Sequence, residues 1–288
     1  MQQILECFMK IFQAKSALKA VLEQEQKENK SIGFVPTMGA LHSGHIELVK
    51  KCVAENDICI VSIFVNPTQF NDRNDLINYP RTYAEDYELL KNAGCHYVFS
   101  PSEEEIYPEP DTRVFDFGEL ASTMEGKFRP GHFNGVAQVV SKLFEIVDPN
   151  RAYFGIKDFQ QLAIIKEVVK QLNLNIEIVP VSIVRESDGL AMSSRNQHLN
   201  KEQRKEAAII SKILKTSDSL RTTYTVKDLE IWVKDQINQS PELTVEYFDI
   251  IDGFTLKSIK NWGDTEYSVG CIAVFAGSVR LIDNVTYQ

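Results

Sequence analysis

The 288-residue sequence has no apolar run long enough to span a bilayer, no C-x-x-C pair, no internal repeat, no low-complexity tract and no excess of positive charge. Each absence removes a class of function. With 31 Lys and Arg against 40 Asp and Glu the net charge is −9, which repels a polyanion and speaks against a protein whose main work is holding RNA or DNA. The five cysteines, Cys7, Cys52, Cys59, Cys95 and Cys271, are odd in number and lack zinc-type spacing, so they read as reduced thiols. Residues 1–8 lack the basic head and cleavage site of a signal peptide, and the chain is expected to be cytoplasmic, with no membrane partner. Because a strand begins at Met9, residues 1–8 are expected to be a loosely attached extension or an early start.

What is present is an ordinary globular composition, 43% hydrophobic and 25% charged, in a chain long enough for one large domain or two smaller ones. The most informative stretch is Pro36-Thr37-Met38-Gly39-Ala40-Leu41-His42-Ser43-Gly44-His45. A short buried strand precedes it, and Ile46, Val49 and Val53 follow at helical spacing, so His42 and His45 sit where a strand hands over to a helix. Such a helix start carries unpaired N–H groups and about half a unit of positive charge, which suits phosphate oxygens. Glycines let the backbone approach a ligand, and two imidazoles three residues apart can both give hydrogen bonds to a phosphate whose charge grows in a transition state. A bare H-x-x-H pair is more often a turn with two surface histidines; the strand-turn-helix setting turns the reading toward attack at a nucleotide α-phosphate.

Along the chain, strands are expected at 9–12, 31–35, 57–65, 96–99, 151–155 and 176–179, alternating with helices at 14–29, from His45, 82–92, 134–147 and 157–173. This is α/β: a parallel sheet with helices on both faces, whose ligands lie outside the carboxyl ends of the strands. Asn66, Gln69 and Phe70 follow one such end, where uncharged amides can orient a hydroxyl or a carboxylate. Thr82 is expected to cap the 82–92 helix with Glu85 three residues on. Glu85 and Asp86 are either first-turn acids opposing the helix dipole or ligands to a phosphate-bound Mg²⁺. The run 125–133, with Lys127, Arg129 and His132, reads as a cationic loop before a helix. Lys157 belongs on the sheet's carboxyl rim as a point cation for phosphate, and Ser193-Ser194-Arg195 in a glycine-flanked loop forms a compact anion grip. From about residue 186 the pattern changes to two helices, 201–220 and 227–238, then strands at 245–250, 268–275 and 278–282, a smaller α+β domain over 186–288 beside a first domain over 9–185.

These stretches, with Val65-Asn66-Pro67-Thr68-Gln69-Phe70, Tyr79-Pro80-Arg81-Thr82, Arg129-Pro130-Gly131-His132-Phe133, Phe154-Gly155-Ile156-Lys157-Asp158-Phe159-Gln160-Gln161 and Met192-Ser193-Ser194-Arg195-Asn196, resemble in order the pantothenate synthetases, a family of nucleotidyltransferases with a HIGH-type motif. The resemblance implies a Rossmann-like domain with a C-terminal lid, a homodimer, and ATP-driven condensation of (R)-pantoate with β-alanine through a pantoyl adenylate. It assigns Met38, Gly39, Ala40, Leu41, His42, Ser43, Gly44 and His45 to ATP, with His45 as catalytic proton donor and His42 its partner. It adds Gly155, Ile156, Lys157, Asp158, Val184, Met192, Ser193, Ser194 and Arg195 to the ATP contacts, with Lys157 and Arg195 serving catalysis. Gln69 and Gln161 match the pantoate-holding glutamines, with Asn66 and His132 beside them as substrate-binding candidates. One departure is Ile156, where the family commonly has Glu; a backbone contact survives that change and a side-chain contact does not. The competing readings are another adenylyl- or cytidylyltransferase, a class I aminoacyl-tRNA synthetase, which the acidic charge opposes, and a catalytically dead nucleotide sensor.

Overall fold

A computed structural model describes residues 9–287; the extension expected over residues 1–8 lies outside the described residues. Chain order is β1 (Lys10–Phe12), α1 (Lys15–Lys27), β2 (Ile32–Thr37), α2 (Ser43–Glu55), β3 (Ile58–Ile63), α3 (Arg73–Asn78), α4 (Tyr83–Asn92), β4 (Tyr97–Phe99), α5 (Glu103–Ile106), α6 (Met124–Phe128), α7 (His132–Val147), β5 (Arg151–Gly155), α8 (Phe159–Gln171), β6 (Glu177–Val181), α9 (Lys201–Leu220), α10 (Val226–Asn238), β7 (Leu243–Asp252), β8 (Ser268–Ala276) and β9 (Val279–Tyr287). The chain forms two compact units. The first runs through Asp116 and adds Arg129–Gly155 and Ile164–Val181; the second joins Phe117–Phe128 and Ile156–Ala163 to Ser182–Gln288.

In the first unit six parallel strands lie in the order β1-β4-β3-β2-β5-β6. Every residue of β3, Ile58-Cys59-Ile60-Val61-Ser62-Ile63, is buried, as a strand covered on both faces requires. The connections leave β2 toward β3 and β4 on one side and resume at β5 on the other, so the sheet changes direction between β2 and β5. Ligands of such sheets bind at that switch point, outside the strands' carboxyl ends. The register agrees: β2 pairs with β3 over six residues but with β5 only through Gly33 and Phe34. Pro36, which has no N–H to give a ladder, lies beyond that short pairing.

The second unit is an antiparallel sheet, β7-β8-β9. One face is closed by apolar residues of α9 and α10, among them Ala207, Ile210, Leu214, Leu229, Val233 and Ile237. The other face packs Tyr247, Ile251, Val269 and Cys271 with Met124. There Arg280 forks onto Glu125 (2.8 and 2.7 Å) and also reaches Glu246 (2.6 Å), while the Tyr247 hydroxyl donates to Glu125 (2.8 Å). Burial pushes the Tyr247 phenol far above its ordinary range.

Several local expectations are corrected. The stretch from Glu125 is no loop: Met124–Phe128 is a short helix, and α7 starts at His132, two residues early, because Gly131 takes a left-handed φ of 81° that turns the chain into it. Thr82 is the residue before α4 but makes no side-chain cap; its hydroxyl donates instead to Asp86 (3.1 Å). The last strand does not stop at 282 but continues to Tyr287 in unbroken register with β8.

Candidate active site

In the first unit the loop after β2 is braced from beneath. Asp86, 1% exposed, accepts from the backbone N–H groups of Ala40 (3.0 Å) and Leu41 (2.8 Å) as well as from the Thr82 hydroxyl. The loop needs that brace because it runs through left-handed backbone at Gly39 (φ 77°) and Ala40 (φ 49°). A Cβ on Gly39 would lie 2.9 Å from Ile63 Cγ2 and 3.0 Å from Asp86, so glycine is required on both conformational and steric grounds. At the loop's start the Thr37 hydroxyl donates to the Ser62 carbonyl (2.7 Å) and accepts from the Gly39 N–H (3.2 Å).

The loop delivers the two histidines to the start of α2, which begins at Ser43 rather than His45. His42 is the N-cap residue: its Nδ1 accepts from the Gly44 N–H (3.1 Å), and His45 Nδ1 accepts from the His42 N–H (3.3 Å). Two imidazoles thus make a reciprocal capping box, a task usually done by Ser or Thr with Glu or Gln. The rings lie 4.1 Å apart, centroid to centroid. Since both Nδ1 atoms accept, each neutral ring carries its proton on Nε2, the atom that can donate to a phosphate oxygen.

Beside this loop the unit holds its amides. Gln69 gives Nε2 to the Met38 sulfur (3.1 Å), and its Oε1 accepts from Asn66 Nδ2 (3.2 Å). Asn66 is 1% exposed and spends its remaining capacity on the framework: Nδ2 donates to the Gly135 carbonyl (3.1 Å), and Oδ1 accepts from the hydroxyls of Thr68 (3.1 Å) and Tyr107 (2.9 Å). Burial pushes Tyr107 up to about 12, which keeps that phenol a donor. His132, also buried, hydrogen-bonds the Gln69 carbonyl through Nδ1 (2.8 Å), and Arg129 Nη1 lies 3.1 Å from Nε2. An arginine can only donate, so Nε2 accepts and Nδ1 carries the proton. Asn66 and His132 therefore orient the Gln69 turn.

In the second unit Lys157 follows the end of β5 by two residues; its ammonium is 3.8 Å from the Asp158 carboxylate. Gln160 is buried and gives its amide to the carbonyls of Leu120 (2.7 Å) and Thr123 (2.9 Å), whereas Gln161 is half-buried. Val184 and Met192 face each other across a narrow hairpin, Met192 N–H to Val184 C=O at 3.0 Å. That hairpin is clamped by Arg204, which reaches Glu186 (2.6 Å) and Asp188 (2.5 Å). The hydrogen bond from Arg204 holds the Asp188 carboxyl below the usual carboxylate range. The hairpin ends in Ser193, whose Oγ accepts from the Arg195 N–H (3.3 Å), and in the buried Ser194. Each unit so assembles its own share of the residues read from the sequence.

The model of the pantoate–β-alanine ligase family matches residues 10–286, all but the ends of the chain. The chain belongs to that family. Pantoate–β-alanine ligases are carbon–nitrogen ligases of pantothenate biosynthesis that condense (R)-pantoate with β-alanine at the expense of ATP, and the chain is an enzyme of this kind. It is 56% identical to a pantothenate synthetase of Porphyromonas gingivalis over 97% of this chain and 100% of that one. Among solved structures it is similar to pantothenate synthetase from Thermus thermophilus, with a TM-score of 0.90 at 40% identity over 96% and 99% of the two chains. It is similar also to a pantoate–β-alanine ligase from Francisella tularensis complexed with beta-gamma ATP and β-alanine, with a TM-score of 0.82 at 38% identity over 96% and 97%.

Sequence reading missed the buried partners. Asp86 stands out only once the loop it supports is seen, although a first-turn acid on the apolar side of α4 is a usable signal. Asp283 and Asn284, both buried in β9, had no motif around them.

Proposed function

We propose that this chain makes pantothenate by the adenylate route, with the histidine loop of the first unit acting at the α-phosphate. The pantoate carboxylate attacks the α-phosphorus, the bond to the β-phosphate oxygen breaks, and pyrophosphate leaves. The amine of β-alanine then attacks the acyl carbon, the C–O bond to phosphate breaks with its electron pair going to AMP, and the amine sheds a proton. The reading is carried by the capped pair of histidines at the start of α2, whose Nδ1 atoms accept from backbone N–H groups, so that each neutral ring carries its proton on Nε2, a donor of the kind a phosphate oxygen takes. In this reading His45 donates to the oxygen on which charge develops and His42 supports it, while Met38 to Gly44 line the nucleotide. Gln69 and Gln161 hold pantoate, and Gly155 to Asp158, Val184, Met192, Ser193, Ser194 and Arg195 complete the ATP contacts, Lys157 and Arg195 as cations. The Ile156 side chain adds nothing polar, so any contact there is through backbone.

Among the described residues no group of three or more His, Cys, Asp or Glu could hold a metal ion. Asp86 accepts three protein donors and Glu85 is exposed, so neither fits a resident magnesium site. Mg²⁺ accordingly enters with the triphosphate as part of the co-substrate. The chain is also proposed to be a cytoplasmic homodimer whose C-terminal unit is a lid, as the family resemblance implies. An acyl adenylate is readily lost to water, which makes solvent exclusion valuable. Buried free thiols at Cys52, Cys59, Cys95 and Cys271 suit a reducing compartment, and no described helix is long and apolar enough to cross a membrane.

The test is pyrophosphate release from ATP alone, with pantoate, and with pantoate plus β-alanine, in the wild type and in His45→Ala. Release should require pantoate and fall at least about 10²-fold in the variant, the scale of losing a preorganised charge-stabilising donor. Release indifferent to pantoate would sink the proposed chemistry; near-normal release by His45→Ala would remove that residue from it.

A further inference from the structure

Within the second unit the residues assigned to ATP lie on two segments far apart in sequence, 156–158 and 184–195, and two consecutive residues of β9 hold both. Asp283 takes the Arg185 guanidinium two-pronged, Oδ2 from Nη1 at 2.7 Å and Oδ1 from Nη2 at 2.9 Å. Arg185 is the neighbour of Val184 and is bridged to Ala191, so the hairpin that ends at Ser193-Ser194-Arg195 is anchored through it. Asn284 gives Nδ2 to the carbonyls of Ile156 (2.7 Å) and Lys157 (3.1 Å). Successive side chains of a strand point to opposite faces, so one strand can hold one segment on each side. The pair is tied further by the Asn284 N–H, which donates to Asp283 Oδ1 at 2.8 Å.

Both residues are buried, 4% and 6% exposed, in a strand whose Val279, Leu281 and Tyr287 serve the apolar core. Buried polar groups in such a place are destabilising unless fully partnered, and their partners here are two ligand-bearing segments. The β8–β9 ladder, with Asp283 opposite Ile272 and Asn284 opposite Cys271, makes the distance between the two grips a property of the sheet.

We propose that Asp283 and Asn284 are positioning residues that fix Lys157 and the Ser193–Arg195 loop in register for one triphosphate. This rests on the reading that Lys157 and Arg195 bind ATP. The test is a double-mutant cycle on the full-length enzyme with Lys157→Ala, Asn284→Ala and the pair together, following KM for ATP and for pantoate. Each single change should raise KM for ATP about tenfold, the scale of one lost hydrogen bond or more, and leave KM for pantoate within about twofold. Because Asn284 acts through Lys157, the double variant should be no worse than Lys157→Ala alone. Effects that multiply, with Lys157→Ala itself impaired, would overturn the positioning role and leave the ATP reading intact. An unchanged KM for ATP in Lys157→Ala would overturn the ATP reading and this inference with it. Should Asn284→Ala not fold, Asn284→Ser in the same cycle carries the same criterion.

Discussion

A single carboxylate decides the shape of the loop between β2 and α2. Asp86 is buried, accepts two backbone N–H groups at the point where the chain turns left-handed, and has the Thr82 hydroxyl as its third donor. Its neighbour Glu85 is exposed. The two were indistinguishable as first-turn acids in sequence, and they should now differ sharply. Asp86→Asn replaces one acceptor by a donor facing a donor, so it should destabilise the protein by about 1–3 kcal/mol in urea unfolding and raise KM for ATP. Glu85→Gln should stay within about 0.5 kcal/mol with unchanged kinetics. Equal behaviour of the two variants would deny Asp86 its part in the loop.

Among the elements, α7 and the turn that carries Gln69 are fitted to each other at a glycine. A Cβ on Gly135 would fall 2.3 Å from the Thr68 carbonyl oxygen, which is backbone and has no easy retreat, and the Gly135 carbonyl accepts from Asn66. Gly135→Ala should therefore cost about 1–3 kcal/mol in spite of the better helix propensity of alanine, and raise KM for pantoate by shifting Gln69. A gain in thermal midpoint would show that the contact has room. A second element, the start of β4, carries a pH dependence. His96 Nδ1 accepts from the Cys59 N–H at 2.9 Å, and burial lowers its pKa from the ordinary 6.5. The folded protein then binds fewer protons than the unfolded chain, so this contribution is complete above pH 6.5 and is lost as pH falls from there through the folded value. Urea midpoints measured across that window should decline toward acid, and His96→Asn should flatten the decline; an unaltered slope would refute it.

For the whole molecule, what could be read in advance followed from periodicity and punctuation. β3 reads as an interior strand from Ile58-Cys59-Ile60-Val61-Ser62-Ile63 alone, and His42 to His45 read as a helix start because Pro36 and Gly39 end the strand before them. The capping by imidazoles was not legible, since His is a poor capping residue by propensity and only the loop's geometry turns Nδ1 toward the helix. Nor was the helix Met124–Phe128 legible: Glu125 looks like surface charge until Arg280 and Tyr247, more than 120 residues away along the chain, are seen to claim it. Long-range polar pairing leaves no local pattern.

On the adenylate route a pantoate oxygen becomes joined to the α-phosphorus. The most direct measurement is a complete turnover with pantoate bearing ¹⁸O in its carboxylate, followed by mass spectrometry of the nucleotide and phosphate products. A single ¹⁸O is expected in AMP and none in pyrophosphate. Unlabelled AMP, or label appearing in inorganic phosphate beside ADP, would contradict it.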